Sequence, residues 1–477
     1  MKKLIKITAI SLFALMLALV AVGCGEEVTT TPVTDPPCEH VYADEVTREM
    51  RPLSDGVITY TCEKCGDSYE EAIPASKSVK ILAIGNSFSV DAMDHLWKIC
   101  EDGGAEEIIL GNMYIGGCSL STHWSNMATD AKAYTYYENT VDEWRQTANT
   151  ALSTALSKYD WDIITIQQAS GDSGVAATYV SLEKIIGYLE ENKPKEETEL
   201  WWHMTWAYQG NSTHNSFPKY QRDQMTMYNA IVSATNEKVL PTEAFDGVIP
   251  SGTAIQNLRT SYIGDTLTRD GYHMSYDIGR YTLALTWYAT LLGGDVDAID
   301  WVPGSYEAIK HDLAPIREAV KGALENQFEV TESKLTERSY DDLFEAMGLD
   351  LSKYTKIDWE PKVKNYYNST HHANLYPSES NSRYFIASKI FDKTTLPVGS
   401  VIVVDKGYQY RPEGWTALTS TNTSSTRPTN VTTQVVEVTD AWWGSFNYRA
   451  FNLSYVGAKT DVTDADAAHL QIYVPNK

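Results

Sequence analysis

The chain has 477 residues, with 39 basic and 63 acidic side chains and a formal net charge of −24 at pH 7. A surface this acidic repels phosphate groups, which argues against nucleic-acid binding and against electrostatic docking on anionic lipid. The length allows two to three domains. The chain contains 13 Trp and 30 Tyr residues. Such a high aromatic content is common in extracellular proteins that bind sugars, although protein cores use aromatic side chains as well.

The amino-terminal segment has the layout of an export signal. Three lysines within the first six residues precede an apolar run over 7–22, which is the order of a secretory signal. Small residues lead into Cys24 and resemble the bacterial lipobox, in which the cysteine is lipidated. The alternative is a single membrane-spanning helix, for which the run is short. We predict a signal peptide over 1–23, a flexible tether over 24–36 and an exported protein anchored by lipid to the outer face of the bacterial membrane.

The segment 37–76 carries cysteine and histidine at the spacing of a zinc site. Cys38 and His40 precede a Cys-x-x-Cys knuckle formed by Cys62 and Cys65, and a predicted strand leads into that knuckle. Together these residues form a Cys₃His set that suits tetrahedral coordination. A segment too short to bury its own core needs a bound metal ion or a disulfide for stability. A disulfide among the same cysteines is the alternative outside the cell. We predict a structural zinc ion, without catalytic role, in a module that resembles zinc-ribbon-like repeats.

The most informative stretch opens the region 77–330. Residues 79–84 form an apolar, β-branched run, which is typical of a strand buried on both faces of a parallel sheet. A Gly-Asn pair follows and tolerates the sharp turn that ends such a strand. Ser87 comes next, at the edge where open α/β sheets bind their ligands. Ser87 is therefore a candidate nucleophile, and a helix-capping serine is the alternative interpretation.

Strands then alternate with helices, which predicts a parallel sheet covered on both faces. The further predicted strands are 108–111, 114–115, 161–168, 199–206 and 238–240, and the predicted helices are 91–100, 143–158, 182–191, 220–235, 276–292 and 306–326.

A second motif precedes the last two helices of this region. Asp270 and His273 lie three residues apart, a spacing that lets a carboxylate support the imidazole that takes a proton from Ser87. The chain order Ser, Asp, His also suits serine-hydrolase chemistry on an α/β sheet.

Together these motifs resemble those of SGNH (GDSL-type) hydrolases, whose usual opening is Gly-Asp-Ser where this chain has Gly-Asn-Ser. The closer likeness is to a bacterial SGNH-like branch known mainly as a domain of unknown function. That branch shares Ile-Gly-Asn-Ser-Phe-Ser, Gly-Gly-Cys-Ser-Leu with a following His-Trp, Gln-Gln-x-Ser and Thr-Trp-Ala-Tyr. The likeness covers about 79–325 and implies a three-layer α/β/α fold of flavodoxin type with ester-cleaving activity.

The resemblance also implies roles for single residues. Ser87 takes the position of the nucleophile, His273 that of the base and Asp270 that of its orienting carboxylate. Gly117, or its neighbour Gly116, matches the glycine that gives an N–H group to the oxyanion hole.

The family's third block, Gly-x-Asn-Asp, is absent, and Gln167, Gln168 and Ser170 stand in its place. A glutamine amide donates the same hydrogen bond in sialate-O-acetylesterase-like relatives. We choose Gln168 over Gln167 as the third oxyanion donor.

Several other polar and aromatic residues allow two interpretations. His123 and His203 either line the pocket or are hydrogen-bonded core histidines. Trp206 and Tyr208 either form the walls of a sugar site or pack in the core, which is the more common use of such residues. Glu243 and Asp246 imitate the carboxylate pair of a glycoside hydrolase, but in a predicted helix they more often form a solvated face.

The carboxyl-terminal part has a different sequence pattern. A polar connector over 331–354 precedes 355–477, where short strands separated by Gly, Pro, Asn and Thr predict a β-sandwich domain. Trp415, Trp442 and Trp443 either present a platform for carbohydrate or pack inside this domain.

The sequence thus predicts a cell-surface serine esterase that removes acyl groups, most often O-acetyl, from carbohydrate. Acylated carbohydrate is the predicted partner, no cofactor is needed for catalysis, and the membrane is contacted only through the lipid anchor. The alternative is a non-catalytic carbohydrate-binding or surface-scaffold lipoprotein with a decayed site.

Overall fold

The computed structural model describes residues 38–336, 344, 348–358, 361–364, 384–387, 391–404, 408–415, 434–445, 448–455 and 470–476. Cys24, the predicted signal peptide and the tether lie outside these ranges, so the lipid anchor and the domain boundaries stay predictions. Within the described ranges, no helix is long and apolar enough to cross a bilayer. The described chain divides into two compact units, of which the first comprises 38–45 and 59–70 and the second comprises the remainder.

The strands are β1 Tyr42–Arg48, β2 Gly56–Cys62, β3 Ser68–Ile73, β4 Ser78–Gly85, β5 Glu107–Tyr114, β6 Tyr134–Asn139, β7 Trp144–Thr150, β8 Ile163–Ile166, β9 Glu199–His203, β10 Gly247–Ile249, β11 Tyr354–Ile357, β12 Pro361–Lys364, β13 Tyr384–Ala387, β14 Phe391–Asp392, β15 Val401–Val404, β16 Tyr408–Trp415, β17 Gln434–Glu437, β18 Tyr448–Tyr455 and β19 Leu470–Pro475.

The α-helices are α1 Ser87–Met93, α2 Leu96–Asp102, α3 Leu120–Ala128, α4 Leu152–Leu156, α5 Leu182–Asn192, α6 Gln224–Lys238, α7 Ser251–Arg259, α8 Ile278–Leu292, α9 Leu313–Glu325 and α10 Asp440–Trp443. Short 3₁₀ turns cover Ala176–Tyr179, Phe217–Tyr220, Leu240–Thr242, Val296–Ala298, Gly304–Asp312 and Leu351–Lys353.

Strands β4 to β10 form the central seven-stranded sheet, in the spatial order β10-β9-β8-β4-β5-β6-β7. The first five strands of this order, β10 to β5, pair in parallel with one another. Numbered by chain position, the parallel strands run 2-1-3-4-5, which is the flavodoxin-like order, and its switch point lies between β4 and β8. Ser87 follows β4 directly, so the topology brings it to the edge where such sheets bind ligands.

Two groups of helices cover this sheet. Helices α1, α2, α7, α8 and α9 contact one another, and α3, α5 and α6 form the second group with adjacent 3₁₀ turns. Strand β8 is buried at every position, as expected for a strand covered on both faces. The predicted three-layer α/β/α fold is confirmed.

An antiparallel hairpin, β6 and β7, extends the sheet beyond β5 where a helix over 143–158 was expected. The prediction is wrong for 144–150. Strand β6 pairs with the otherwise open edge of β5, and β7 then pairs with β6, so long-range hydrogen bonding overrides the local helical pattern. Only the short helix α4 remains of the predicted element.

The predicted strand over 238–240 is also wrong, because these residues end α6 and begin a 3₁₀ turn. The edge strand is β10 instead, in which Gly247 pairs with Trp201. A Cβ atom at Gly247 would lie 2.3 Å from the Trp201 ring, so a glycine is needed for this approach. Glu243 ends the turn with φ 52° rather than lying in a helix, and Asp246 accepts a hydrogen bond from Leu200 N at 2.9 Å.

The carboxyl-terminal strands form two antiparallel sheets, which agrees with the predicted β-sandwich. One has the order β11-β19-β15-β17, and the other has the order β12-β13-β18-β14 with β16 paired to β18. Phe391, Ile402 and Trp443 belong to one apolar cluster, and Trp442 packs against it. Trp443 is therefore a core residue, while the side chain of Trp415 lies outside the described part of the chain.

Candidate active site

Ser87 is the first residue of α1, on the turn that leaves β4. The preceding Asn86 caps this helix, because its Oδ1 accepts a hydrogen bond from Phe88 N at 3.0 Å. Gly85 is required by close approach, since a Cβ atom there would lie 2.6 Å from Ser89 Oγ. The helix-capping interpretation of Ser87 is therefore wrong, and its hydroxyl is available for another partner.

That partner is His273. His273 Nε2 lies 2.8 Å from Ser87 Oγ, and His273 Nδ1 lies 2.7 Å from Asp270 Oδ2. The three side chains thus form the contact chain carboxylate, imidazole, hydroxyl that activates a serine. The His273 side chain is 17% exposed and that of Asp270 is 40% exposed, so the imidazole is partly shielded while the carboxylate remains near solvent.

Asp270 is held in its ionised form by its own loop. Burial by itself raises the pKa of this carboxyl, but hydrogen bonds from the His273 side chain and from the N–H groups of His273 and Tyr272 outweigh burial and lower the pKa below its usual range. The ionised carboxylate accepts the Nδ1 proton of His273, which leaves Nε2 free to accept the serine proton.

A buried aspartate ties the loop that carries Asp270 and His273, residues 268–276 (the base loop), to the helix that carries Ser87. Asp91 lies one turn after Ser87, is fully buried, and accepts from Met274 N at 2.8 Å. Its Oδ1 also accepts from Arg269 at 3.0 Å and from Arg280 at 2.9 Å. Two cations and a backbone N–H compensate this buried charge.

Trp206 makes a second connection between α1 and the base loop. Its indole stacks on Phe88 with a centroid distance of 4.0 Å, and its Nε1 donates to Tyr272 O at 2.8 Å. Trp206 is fully buried, so it supports the site from behind and does not form a wall for a sugar.

A buried relay of side chains orients the turn before Ser87. Since Asn86 Oδ1 accepts from Phe88 N, the 2.9 Å contact from Gln167 Nε2 to the same oxygen is a donation. Gln167 Oε1 must then accept from His203 Nδ1 at 2.8 Å, and His203 Nε2 accepts from Ser251 at 3.1 Å. Burial lowers the pKa of His203 to about 3, so the relay contains a neutral imidazole.

The assignment of Gln168 as oxyanion donor is corrected by its hydrogen bonds. Its Nε2 donates to Thr178 O at 3.2 Å and to Thr178 Oγ1 at 3.0 Å. Its Oε1 accepts from the N–H groups of Leu120 and Ala169. Both amide hydrogens are committed away from Ser87, and the side chain is fully buried. Gln168 therefore fixes the surrounding loops.

Gly117 lies beside Ser87 in the same cleft. Its φ of 61° is in the left-handed region, which a glycine adopts without strain. Among the described residues, the N–H groups of Ser87 and Gly117 have no hydrogen-bond partner. Both remain candidate donors to an oxyanion.

The cleft at the triad has a volume of about 460 Å³. Its lining residues are Asn86, Ser87, Tyr114, Gly116, Gly117, Ala169, Ser170, Gly171, Asp172, His214, Ser216, Tyr272 and His273. His123 is a core histidine instead: it is fully buried, and its Nδ1 lies 3.1 Å from Tyr134 Oη.

Sequence reasoning missed Asp91 and His214. A carboxylate four residues after Ser87, among apolar neighbours on the buried side of a helix, was an available signal for Asp91. His214 lies in an irregular loop, and no spacing or periodicity links it to the motifs.

The four predicted metal ligands lie together in the small first unit. Their ligand atoms are all within 4.8 Å of one another, with 3.9 Å between the sulfurs of Cys38 and Cys62 and 3.4 Å between Cys65 Sγ and His40 Nδ1. Two thiolates bound tetrahedrally at about 2.3 Å from zinc are roughly 3.8 Å apart. The set therefore fits a tetrahedral metal ion.

Comparisons with known proteins agree with this fold. The family described as a domain of unknown function, DUF4886, matches residues 80–321. A crystal structure of a DUF4886 family protein from Bacteroides uniformis is 39% identical, with a TM-score of 0.52, over 55% of this chain and 100% of that chain.

Two more distant structures are also similar. A protein described as a putative platelet activating factor, from Streptococcus pneumonia, is 18% identical, with a TM-score of 0.28, over 45% of this chain and 84% of that chain. A catalytic mutant of an acetylxylan esterase from Geobacillus stearothermophilus is 14% identical, with a TM-score of 0.27, over 47% of this chain and 96% of that chain. No curated protein matches the chain. From the family match over 80–321 and the 39% identical structure, we conclude that this chain belongs to the DUF4886 family.

Proposed function

We propose that this protein is a serine esterase that removes acyl groups, chiefly O-acetyl, from carbohydrate. The observation that carries the proposal is the contact chain from Asp270 through His273 to Ser87, at 2.7 and 2.8 Å, beside an open cleft. A free serine hydroxyl is a poor nucleophile, and a base in hydrogen-bond contact is what makes it reactive.

In the proposed reaction, Ser87 Oγ attacks the ester carbonyl while His273 Nε2 takes its proton. The N–H groups of Ser87 and Gly117 stabilise the oxyanion. Protonated His273 then gives the proton to the leaving alcohol, and an acyl group stays on Ser87. Water, deprotonated by His273, then attacks the acyl carbon. The bond from that carbon to Ser87 Oγ breaks, His273 returns the proton to Oγ, and the acid leaves.

The lining of the cleft supports a small acyl group and a polar alcohol. Ser170, Asp172, His214 and Ser216 supply hydrogen-bonding groups. The apolar surface comes from Ala169, the glycines and the tyrosine rings, which suits an acetyl group and a sugar ring better than a fatty acyl chain.

The test is acetate release from acetylated xylan and from p-nitrophenyl acetate by the purified protein, with Ser87→Ala as the matched blank. Ser87-dependent hydrolysis that falls with increasing acyl length supports the proposal. Carbohydrate binding without any Ser87-dependent turnover would favour the scaffold alternative.

We also propose that the Cys38, His40, Cys62 and Cys65 cluster holds structural zinc. We expect one tightly bound zinc per chain after dialysis, measured by elemental analysis. Cys65→Ser should lose the metal, while Glu63→Gln, a change to a neighbouring non-ligand in the same knuckle, should keep it. A metal-free protein with a mapped disulfide among these cysteines would contradict the assignment.

A lipid anchor at Cys24 is a further proposal, supported by the small residues before that cysteine. Cells expressing Cys24→Ser should release the protein from the membrane fraction, because burial of acyl chains is then lost. Thr29→Ser, a conservative change in the tether, should remain with the membranes. Equal retention of the wild type and Cys24→Ser would argue against lipidation.

A further inference from the structure

His214 is a second histidine in the cleft, and the proposed reaction does not use it. It lies in the loop between β9 and the 3₁₀ turn Phe217–Tyr220 and is half-buried. Its ring packs between two tyrosines, with centroid distances of 4.7 Å to Tyr208 and 4.6 Å to Tyr272. These contacts fix the plane of the imidazole.

The hydrogen bonds of His214 fix its tautomer as well. Ser216 N, which can only donate, lies 3.1 Å from His214 Nδ1, so Nδ1 is an acceptor and the ring proton is on Nε2. Among the described residues, this Nε2–H group has no partner. Burial, and then the positive charge that His273 acquires, lower the pKa of His214. The ring thus stays neutral while His273 carries the serine proton.

The position of His214 separates it from the bond that breaks. The Tyr272 ring contacts both imidazoles, with centroid distances of 4.1 Å to His273 and 4.6 Å to His214. The imidazole that contacts Ser87 Oγ is that of His273, so His214 is assigned to binding and not to proton transfer at the ester. Ser216 and Asp172 line the same cleft, and Asp172 Oδ1 pairs with Lys219 Nζ at 2.6 Å.

We infer that His214 is a specificity-determining residue, which donates its Nε2–H to a hydroxyl oxygen on the alcohol part of the substrate. The inference rests on the proposed esterase function and assigns the recognition of the alcohol's hydroxyl groups to one residue. A sugar ring fits this assignment, because its hydroxyls can meet His214, Ser216 and Asp172 while its apolar face meets the tyrosine side chains that line the cleft.

The experiment compares two esters that differ only in ring hydroxyls, a mono-O-acetyl methyl β-xylopyranoside and cyclohexyl acetate. The ratio of their kcat/KM values is measured for the wild type, His214→Phe and His214→Gln. Phenylalanine keeps an aromatic ring between the tyrosines without a donor, and glutamine restores an N–H group at a position similar to Nε2. We expect the wild type to prefer the sugar ester. His214→Phe should lower the ratio about tenfold, equivalent to about 1.4 kcal/mol, mainly through KM for the sugar ester, and His214→Gln should recover most of it.

No preference in the wild type, an equal loss on both esters in His214→Phe, or an equal defect in both variants would overturn the inference. Binding of the sugar ester to the Ser87→Ala protein, followed by NMR titration, tests it without turnover. There His214→Phe should weaken Kd about tenfold, and an unchanged Kd would also overturn it. A wild type that hydrolyses neither ester in a Ser87-dependent way would refute the esterase proposal. The NMR titration would still decide the role of His214 in binding.

Discussion

Replacing His273 with alanine is expected to lower kcat/KM for acetyl esters on the order of 10³-fold or more, because the triad acts as a unit. The reason is the 2.8 Å contact between Nε2 and Ser87 Oγ, because the variant lacks the imidazole that is placed to take the serine proton. Labelling of Ser87 by a fluorophosphonate probe should be lost in parallel, since the probe reports the same activated hydroxyl.

Tyr276→Phe is the matched control for this experiment. Tyr276 lies in the same base loop with an exposed side chain, and the change removes only its hydroxyl. Circular dichroism should show that both variants are folded. A wild-type protein that takes no probe, or a His273→Ala protein labelled as fast as the wild type, would end the esterase proposal and leave the binding-protein alternative.

Replacing Asp91 with alanine is expected to lower the free energy of unfolding by about 3–5 kcal/mol, because it removes the fully buried carboxylate that pairs with both Arg269 and Arg280. Arg280 loses partners at 2.9 and 2.7 Å, Arg269 loses one at 3.0 Å, and Met274 N loses its acceptor. Esterase activity at a temperature where the variant is still folded should also fall, since these contacts hold the base loop against α1. Denaturant unfolding and kcat measure the two effects.

Asp94→Ala is the control for charge loss alone. Asp94 pairs with the same Arg280 at 2.8 Å, but its side chain is 31% exposed where that of Asp91 is fully buried. Pairs open to solvent contribute about 0–1 kcal/mol. Similar losses of stability in the two variants would show that the burial of Asp91 does not account for its contribution to the free energy of unfolding.

Local patterns were sufficient for the features that depend on neighbours in the chain. The apolar run before Gly85 predicts a central strand of a parallel sheet, because both faces of such a strand are buried. Asp270 and His273 are three residues apart, so their contact needs only one loop. The four proposed metal ligands come as two close pairs in the sequence, and any fold that brings the pairs together completes the cluster.

The secondary structure of residues 134–150 depends on pairing with a strand that lies earlier in the chain. A helix was predicted over 143–158, but β6 and β7 pair with the edge of β5. Hydrogen bonds to an open strand edge are not visible in the local pattern, so the hairpin could be found only from the folded sheet.

The choice between Gln167 and Gln168 also needed the tertiary structure. Successive side chains at the end of a strand point to opposite faces of the sheet, so these two neighbouring glutamines make different contacts. Gln167 points to Asn86 and Gln168 points to Thr178, which the sequence could not distinguish.

The sequence was enough to predict that Ser87, Asp270 and His273 belong to one site, because each lies in a short motif with its own backbone signal, and the contacts between them are present in the fold. Which other residues hold these three together could be found only from the folded chain. Asp91 meets Arg269, and Tyr272 meets His214, because α1, the loop after β9 and the base loop converge at the carboxyl edge of the sheet. Such contacts depend on the packing of elements far apart in the chain, and no spacing within the sequence encodes that distance.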